Sequence, residues 1–406
     1  MSRLPSPRVA LAILTGLNLL NYVDRYIPAA VLPSLIAGLQ LSDAQAGLVQ
    51  TLFMITYSLV SPVVGILGDR RPRFRMAAIG VLLWSVATFA SGLAPTFAVL
   101  LVARSLIGVG EASYTVVTPS LLSDFYPAAQ RGRVLAIFYA AIPIGTALSY
   151  GIGGQIGARL GWRWAFFVAG APGIALALAL LFLRDPERGA MDVAKPATGQ
   201  RIPISELLKR QSWLLNTIAQ TIYTFAMGGL AVWMPTYFVR VRGLRADIAT
   251  TAFGGVLLAA GFLGTLLGGR FGDRLAARRS DGHFLIAGAA LCLSLPFTLL
   301  AILSPSPAIF WPSMFVTLTL LFVCTGPLNA AMANVLPAEL RARGFAINTF
   351  AIHVFGDAAS PILIGLVSDR VGLGPPVLAT GTLMFVAGLV LLLGRRALAR
   401  DLGHVT

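Results

Sequence analysis

The sequence predicts an all-α membrane protein with twelve transmembrane helices in two pseudo-symmetric halves of six. Hydrophobic residues make up 57% of the 406 positions, and the mean hydropathy is +0.80. Charged residues make up only 12%, whereas soluble domains carry about 25%. Apolar segments of membrane-spanning length follow one another along the chain, and polar motifs between them recur in its second half.

Each predicted helix is an apolar run that can cross about 30 Å of hydrocarbon at about 1.5 Å per residue. The first run imitates a signal peptide, but it lacks a short apolar region with a small-residue cleavage site, so we interpret it as an uncleaved span. The predicted spans are residues 9–37, 44–67, 76–93, 97–123, 132–158, 163–183, 211–238, 248–270, 283–303, 308–336, 344–369 and 373–394.

Arginine clusters alternate between the two sides of this topology. Residues 38–43 and 91–96 contain no lysine or arginine, although Arg159, Arg163 and residues 240–245 oppose the trend. Because lysine and arginine concentrate in cytoplasmic loops, we expect both termini in the cytoplasm. The arginine-rich connections contain Arg70, Arg71, Arg73 and Arg75; Arg131 and Arg133; residues 184–210; Arg274, Arg278 and Arg279; and Arg341 and Arg343.

The arginine clusters in the cytoplasmic connections also account for the net charge of +15. The basic residues form short clusters between apolar runs and no single basic face, so a nucleic-acid partner is not expected. The two cysteines, Cys292 and Cys324, each lie within an apolar run, which disfavours a disulfide framework.

Two loop motifs recur and divide the chain into halves. Gly-Asp-Arg at 68–70 returns at 272–274, and the motif at 127–133 returns in altered form at 337–343. Internal repeats of this kind define many transporter folds. The predicted organisation is an N-terminal half at 1–183, a cytoplasmic linker at 184–210 and a C-terminal half at 211–406. Within the linker, residues 204–208 suit either a short amphipathic helix or part of a flexible tether.

Ionisable residues interrupt three of the apolar runs. An ionisable group at the membrane centre costs roughly 2.5–3.5 kcal/mol, so such groups normally face a protein interior or a water-filled path. A membrane protein with charges at this depth is expected to move a substrate past them. The residues are Asp24 and Arg25 in span one, Arg104 and Glu111 in span four, and His353 and Asp357 in span eleven.

The loop after span two carries a family resemblance. Residues 65–75, which include Asp69, Arg70 and Arg73, resemble the loop between spans two and three of the major facilitator superfamily, with Pro72 in place of a usual glycine. The resemblance implies a latch between the two halves, with the helix dipole at the start of span eleven, near Gly344, as a partner for Asp69. The alternative is a purely topological role for the arginines. The proposed latch residues are Asp69, Arg70, Arg73, Asp273 and Arg274.

Three further stretches resemble the Spinster transporters within that superfamily. They are residues 21–26 in span one, 104–114 in span four and 353–361 in span eleven, in the same order and on the corresponding spans. An Asn-Tyr-x-Asp-Arg sequence also occurs in organic-anion symporters. The resemblance implies a carrier of lysophospholipids or sphingosine phosphate and, for a bacterial homologue, a place in the inner membrane.

Spans one and four contain a candidate site for proton coupling. Arg104 and Glu111 are seven residues apart, two helical turns, so both can face one cavity. Loss of hydration favours the protonated carboxyl, whereas a nearby guanidinium favours the ionised one. Our hypothesis is that Glu111 carries the proton, Asp24 is its partner, and Arg25 pairs with them or binds an anionic head group. The alternative is a fixed buried ion network.

The hypothesis assigns residues to two overlapping sets. The coupling set consists of Glu111, Asp24, Arg25 and Arg104. The substrate set consists of Arg25, Glu111, Tyr22, Asn21, Tyr114 and Tyr223.

His353 and Asp357 are four residues apart, a spacing that permits a hydrogen bond along span eleven. They form a possible second protonatable pair, although an ordinary structural contact is the favoured interpretation. No residues have metal-ligand spacing, and no nucleophile motif or phosphate-binding loop is present, so we expect neither a metal nor an enzyme. The only expected energy source is the proton gradient.

The distribution of charge narrows the expected substrate. Spans one and four carry charges, whereas the cores of spans seven and ten offer aromatic, small and hydroxyl residues. A cavity that is polar on one wall and apolar on the other suits an amphipathic lipid. We therefore predict a monomeric, proton-coupled lipid carrier that works by alternating access in the bilayer. The alternatives are a multidrug exporter, an organic-anion symporter and, from another class, a passive scramblase or channel.

Overall fold

A computed structural model describes residues 4–191 and 205–403, and every regular element of spanning length in those ranges is a helix. Eleven of the helices are long and apolar enough to cross a membrane. Span one, which carries Asp24 and Arg25, is the twelfth. The predicted all-α membrane class is confirmed.

The helices of the first half begin and end close to the predicted limits. Span one bends at Val31, and span five contains a short π-helical segment. The helices are Pro7–Ala30 with Leu32–Leu39 in span one, Asp43–Gly68 in span two, Arg73–Leu93 in span three, Phe97–Thr115 with Thr118–Phe125 in span four, Ala128–Leu148, Ser149–Gly153 and Gly154–Leu160 in span five, and Trp162–Leu180 in span six.

The second half repeats this pattern, and a C-terminal helix follows it. Span eleven contains the second π-helical segment. The helices are Gln211–Arg240 in span seven, Ala246–Ala276 in span eight, Gly282–Leu303 in span nine, Pro307–Val323 with Thr325–Val335 in span ten, Ala338–Ala351, Ile352–Asp357 and Ala359–Val371 in span eleven, Gly374–Leu393 in span twelve, and Arg395–Gly403 as the C-terminal helix.

Two helices extend beyond the apolar runs that predicted them. Span eight continues to Ala276 and not 270, and span eleven begins at Ala338 and not near Gly344. The added turns contain arginines, which can remain in water while the backbone continues its helical hydrogen bonds. Hydropathy therefore locates the part of a helix inside the hydrocarbon and not its ends.

The chain forms two compact units. The first comprises Met1–Pro196 with Phe238–Gly254, and the second comprises Ala197–Tyr237 with Gly255–Thr406. In the first unit, Phe238–Gly254 is tied to neighbouring spans by an Arg240–Asp43 ion pair of 2.6 Å. Residues 192–204 of the predicted linker lie outside the described residues. The short helix Ser205–Lys209 follows it, close to the amphipathic helix that was one alternative.

Span four lies very close to spans two and three in the first unit. A Cβ atom at Gly110 would lie 2.6 Å from the Gly80 carbonyl oxygen of span three, and one at Gly108 would lie 2.7 Å from the Phe53 carbonyl oxygen of span two. Small residues allow such backbone approaches. This packing fixes the position of Glu111, the residue after Gly110.

Each unit has an ion-paired junction at the start of a span. In the first unit, Asp185 accepts hydrogen bonds from the backbone nitrogens of Arg73 (2.5 Å) and Phe74 (2.9 Å) at the start of span three. In the second unit, Asp281 precedes span nine and accepts from Arg279 Nε (2.9 Å) and Arg395 Nη2 (2.6 Å). Asp185 therefore joins the segment after span six to the start of span three. Asp281 joins the start of span nine to the C-terminal helix through Arg395.

The Asp281 junction is expected to make stability depend on pH. Hydrogen bonds from Arg279 lower the pKa of Asp281, and Arg395 lowers it further. Partial burial raises the pKa, but by less than the arginines lower it. A depressed folded-state pKa gives stabilisation that is present above the unfolded pKa and is lost as the pH falls through the folded one. Asp281→Asn should therefore lower the melting temperature at neutral pH, and the difference from the wild type should disappear on acidification.

The control is Glu187→Gln, an exposed carboxylate that forms no side-chain ion pair within the described residues. Thermal melts of both variants across the acidic range would check the prediction. Equal melting of wild type and Asp281→Asn at neutral pH would contradict it.

Candidate transport site in the first unit

A buried ion pair joins span one to span four. Arg25 donates to Glu111 Oε2 from Nη2 (2.7 Å) and from Nε (3.0 Å). Glu111 is fully buried, and Arg25 is only 7% exposed. Charge-assisted hydrogen bonds of this kind are among the strongest in proteins. Glu111 Oε1 accepts no hydrogen bond at ordinary distance from the described residues, and the Asn21 side chain lies near it.

Aromatic rings surround the Arg25 guanidinium. Its central carbon lies 4.8 Å from the ring centre of Tyr22, 5.0 Å from that of Tyr57 and 5.4 Å from that of Phe53. Cation–π attraction favours a guanidinium at these distances. The rings compensate part of the hydration that the guanidinium loses on burial. Several N–H donors of Arg25 form no hydrogen bond to a carboxylate.

Arg104 is held mainly by span two and not by Glu111. Its Nη2 donates to Gln50 Oε1 at 3.0 Å, and its central carbon lies 4.6 Å from the Phe53 ring centre. It is fully buried, and its charge is felt by both Glu111 and Asp24. Arg104 therefore supplies a fixed positive field, whereas Arg25 makes the direct contact with the carboxylate.

Asp24 is the second buried carboxylate of the site. Thr88 Oγ1 of span three donates to its Oδ2 at a long 3.4 Å, and Oδ1 accepts no hydrogen bond at ordinary distance from the described residues. Asp24 and Glu111 influence each other electrostatically. The cluster thus contains two carboxyl groups and two guanidiniums, all buried, so one added proton changes its net charge by one unit inside the protein interior.

The remaining predicted substrate residues have different surroundings. Tyr22 lies against Arg25, and Asn21 lies near Glu111. Tyr114 donates its hydroxyl hydrogen to the Leu14 carbonyl and packs its ring on Trp84, so its polar atom is engaged within the fold. Tyr223 belongs to the second unit, where it lies next to Cys324.

Sequence reasoning missed the contributions of spans two and three. Gln50, Phe53 and Tyr57 lie on one face of span two, and Thr88 lies on span three. A signal was present, because Gln50 is a polar residue inside an apolar run and Phe53 and Tyr57 follow it at helical spacing.

His353 and Asp357 are in contact, as their spacing predicted. The ring nitrogen Nδ1 lies 3.0 Å from Asp357 Oδ2 and 3.2 Å from Oδ1, within the π-helical segment of span eleven. Asp357 also packs against span seven, since a Cβ at Gly228 would lie 2.4 Å from the Asp357 Cβ. Its role as a second protonatable pair stays a prediction.

The predicted latch residues occupy two kinds of position. Arg73 is buried, and it pairs with Asp124 at 2.6 Å and with Asp185 at 3.5 Å within the first unit. The others are exposed at the ends of spans two and eight, and their latch role stays a prediction. They are Asp69, Arg70, Asp273 and Arg274.

Comparison with known proteins assigns the chain to a family. Residues 14–361 match the model of the Major Facilitator Superfamily. Protein spinster homolog 1 of Xenopus laevis is 33% identical over 389 residues, which cover 91% of this chain and 74% of the relative. The chain belongs to the Spinster family. Another Spinster relative, the sphingosine-1-phosphate transporter SPNS2 of Xenopus tropicalis, is 31% identical over 379 residues, 89% of this chain and 74% of its own length.

A solved Spinster-type structure shares the fold. The crystal structure of a bacterial homologue of the human lysosomal transporter Spinster, in an inward-facing and unoccupied conformation, superposes with a TM-score of 0.89 at 22% identity and covers 98% of each chain. The predicted major facilitator fold is therefore confirmed. This Spinster-family chain is a multi-pass integral membrane transporter and not an enzyme.

Proposed function

We propose that this chain is a proton-coupled secondary transporter of an amphipathic lipid with an anionic head, of the lysophospholipid or sphingosine-phosphate type. The observation that carries the proposal is the buried Arg25–Glu111 pair. In this pair a titratable carboxyl group accepts the hydrogen bonds that the Arg25 guanidinium could otherwise donate to an anion. The proposal includes alternating access as a monomer in a bacterial inner membrane with both termini in the cytoplasm.

Proton and substrate would compete through Arg25. While Glu111 is ionised, its Oε2 holds two Arg25 donors. A proton on Glu111 removes the charge from that contact, so Arg25 can turn its planar group to a phosphate, which it binds bidentately. When the head group leaves, the guanidinium attracts Glu111 again and favours release of the proton. In this scheme Arg104 keeps its hydrogen bond to Gln50 and does not exchange partners.

The chemistry of the surroundings supports an amphipath over a small anion. Tyr22, Phe53 and Tyr57 form an apolar wall around the cation. Spans seven and ten of the second unit contain no acidic or basic residue apart from Arg240 at the end of span seven. Such surfaces suit a lipid tail, whereas a small dianion would be expected to need basic groups on both sides. The Spinster relative that transports sphingosine-1-phosphate supports the same class.

The experiment is flux into proteoliposomes that contain the purified protein. Labelled lysophospholipid, labelled sphingosine phosphate and a labelled organic anion without an alkyl chain are compared with and without an imposed pH gradient. We expect gradient-dependent flux of the lipids and none of the tailless anion. Lipid flux independent of the gradient would identify a passive pathway, and flux of the tailless anion alone would identify an organic-anion carrier.

A further inference from the structure

A strongly basic groove opens where the second unit leaves the membrane. It lies between the loop that joins spans eight and nine and the junction of span twelve with the C-terminal helix. We call it the basic groove, and it is lined by Arg278, Arg279, Leu392, Leu393, Arg395 and Arg396. It shares no residue with the transport site.

Among the described residues, one carboxylate lines this groove, and it is already paired. Asp281 accepts hydrogen bonds from Arg279 and from Arg395, so it joins the two walls. Arg278 and Arg396 form no side-chain hydrogen bond or ion pair within residues 4–191 and 205–403. Within the described residues, four guanidiniums and one carboxylate line the groove, and the guanidiniums of Arg278 and Arg396 are available to bind an anion.

The position along the chain sets the depth of the groove in the bilayer. Leu393 is the last residue of span twelve and is 82% exposed. Arg395 and Arg396 follow it within three residues, at the start of the C-terminal helix. Apolar surface at the end of a span lies at the level of the upper acyl chains, and arginine directly beyond it lies at the level of the head groups.

The first unit has a matching groove with a weaker charge. It lies at the corresponding junction between the start of span three and the end of span six, and it is lined by Arg75, Leu183, Arg184 and Asp185 among others. Asp185 is occupied by the backbone of span three. Arg75 and Arg184 line this groove beside Asp185, which also pairs with Arg73, so it supplies a comparison at the corresponding place in the first unit.

We propose that the basic groove binds the phosphate of an anionic phospholipid of the surrounding membrane. Arg278 and Arg396 contact the phosphate, and Leu393 lies along the first part of an acyl chain. Basic pockets at the membrane face are known to select anionic head groups. The site is separate from the transported substrate and does not depend on proton coupling.

Native mass spectrometry of the full-length protein tests the site. The protein is incubated in detergent with equal amounts of phosphatidylglycerol and phosphatidylcholine of the same acyl composition, and the ratio of bound lipids is measured. The test variant is R278Q/R396Q, which keeps the Asp281 pairs. The matched control is R75Q/R184Q in the first unit. We expect the wild type and the control to prefer phosphatidylglycerol. In the test variant the ratio of bound phosphatidylglycerol to bound phosphatidylcholine should be about 30-fold lower.

Three results would overturn the proposal. One is an unchanged preference in R278Q/R396Q with its melting temperature preserved. Another is an equal loss of preference in R75Q/R184Q, which would show that general surface charge attracts the lipid. The third concerns the source of the phosphate. If glycerol phosphate or inorganic phosphate displaces the bound lipid and binds equally well, the groove is a site for soluble phosphate and not for a membrane lipid.

Discussion

Glu111→Gln is expected to abolish gradient-driven lipid flux. The amide keeps the shape of the side chain and can still accept a hydrogen bond from Arg25, but it carries neither the charge nor the exchangeable proton. Removal of a positioned proton-transfer group lowers rates by about 100-fold or more in enzymes, and we expect a similar loss of coupled flux. The measurement is initial flux into proteoliposomes with and without a pH gradient. Glu206→Gln, a partly exposed carboxylate paired with Lys209, is the control and should retain flux.

A second variant separates a coupling role from a structural one. Removal of one member of a buried ion pair destabilises by about 3–5 kcal/mol, whereas neutral replacement of both members is often tolerated. The double variant Arg25→Met/Glu111→Gln should therefore melt at a higher temperature than Glu111→Gln alone and still show no coupled flux. If Glu111→Gln retained gradient-dependent flux, Glu111 would be a fixed structural partner of Arg25, and the coupling assignment would be wrong.

Gly110→Ala is expected to destabilise the first unit strongly, although alanine is the better helix former. The new Cβ would lie 2.6 Å from the Gly80 carbonyl oxygen and 2.7 Å from the Trp84 backbone nitrogen. Because both neighbours are backbone atoms of span three, the two helices must separate. Overpacking of this kind costs about 1–3 kcal/mol, and the rigid contacts place this site at the upper end. Thermal melting in detergent measures the loss.

The matched control is Gly16→Ala in span one, where a Cβ meets no atom within 4 Å. Alanine there should leave stability unchanged or raise it, by up to about 1 kcal/mol in a helix interior. Coupled flux should fall with Gly110→Ala even at temperatures where the protein stays folded, since Glu111 is the next residue. Equal melting of the two variants would show that spans three and four approach less closely than described.

The sequence alone determined the spans and their charged positions. A backbone in hydrocarbon must satisfy its hydrogen bonds within each segment, so apolar runs such as 97–123 translate directly into helices. The cost of burying Asp24, Arg25, Arg104 and Glu111 marked them as functional candidates before any geometry was known. Helix ends were less predictable, because polar turns such as those at the start of span eleven remain helical outside the apolar core.

Only the tertiary structure decided which partners those charges take. The spacing of Arg104 and Glu111 placed both on one face of span four. In the structure Arg104 donates to Gln50 of span two, and Arg25 of span one donates to Glu111. The rotation of each helix and its choice of neighbour follow from close contacts such as Gly80 against Gly110. Those contacts join residues distant in the chain, and the periodicity of one helix contains no information about the face that its neighbours present.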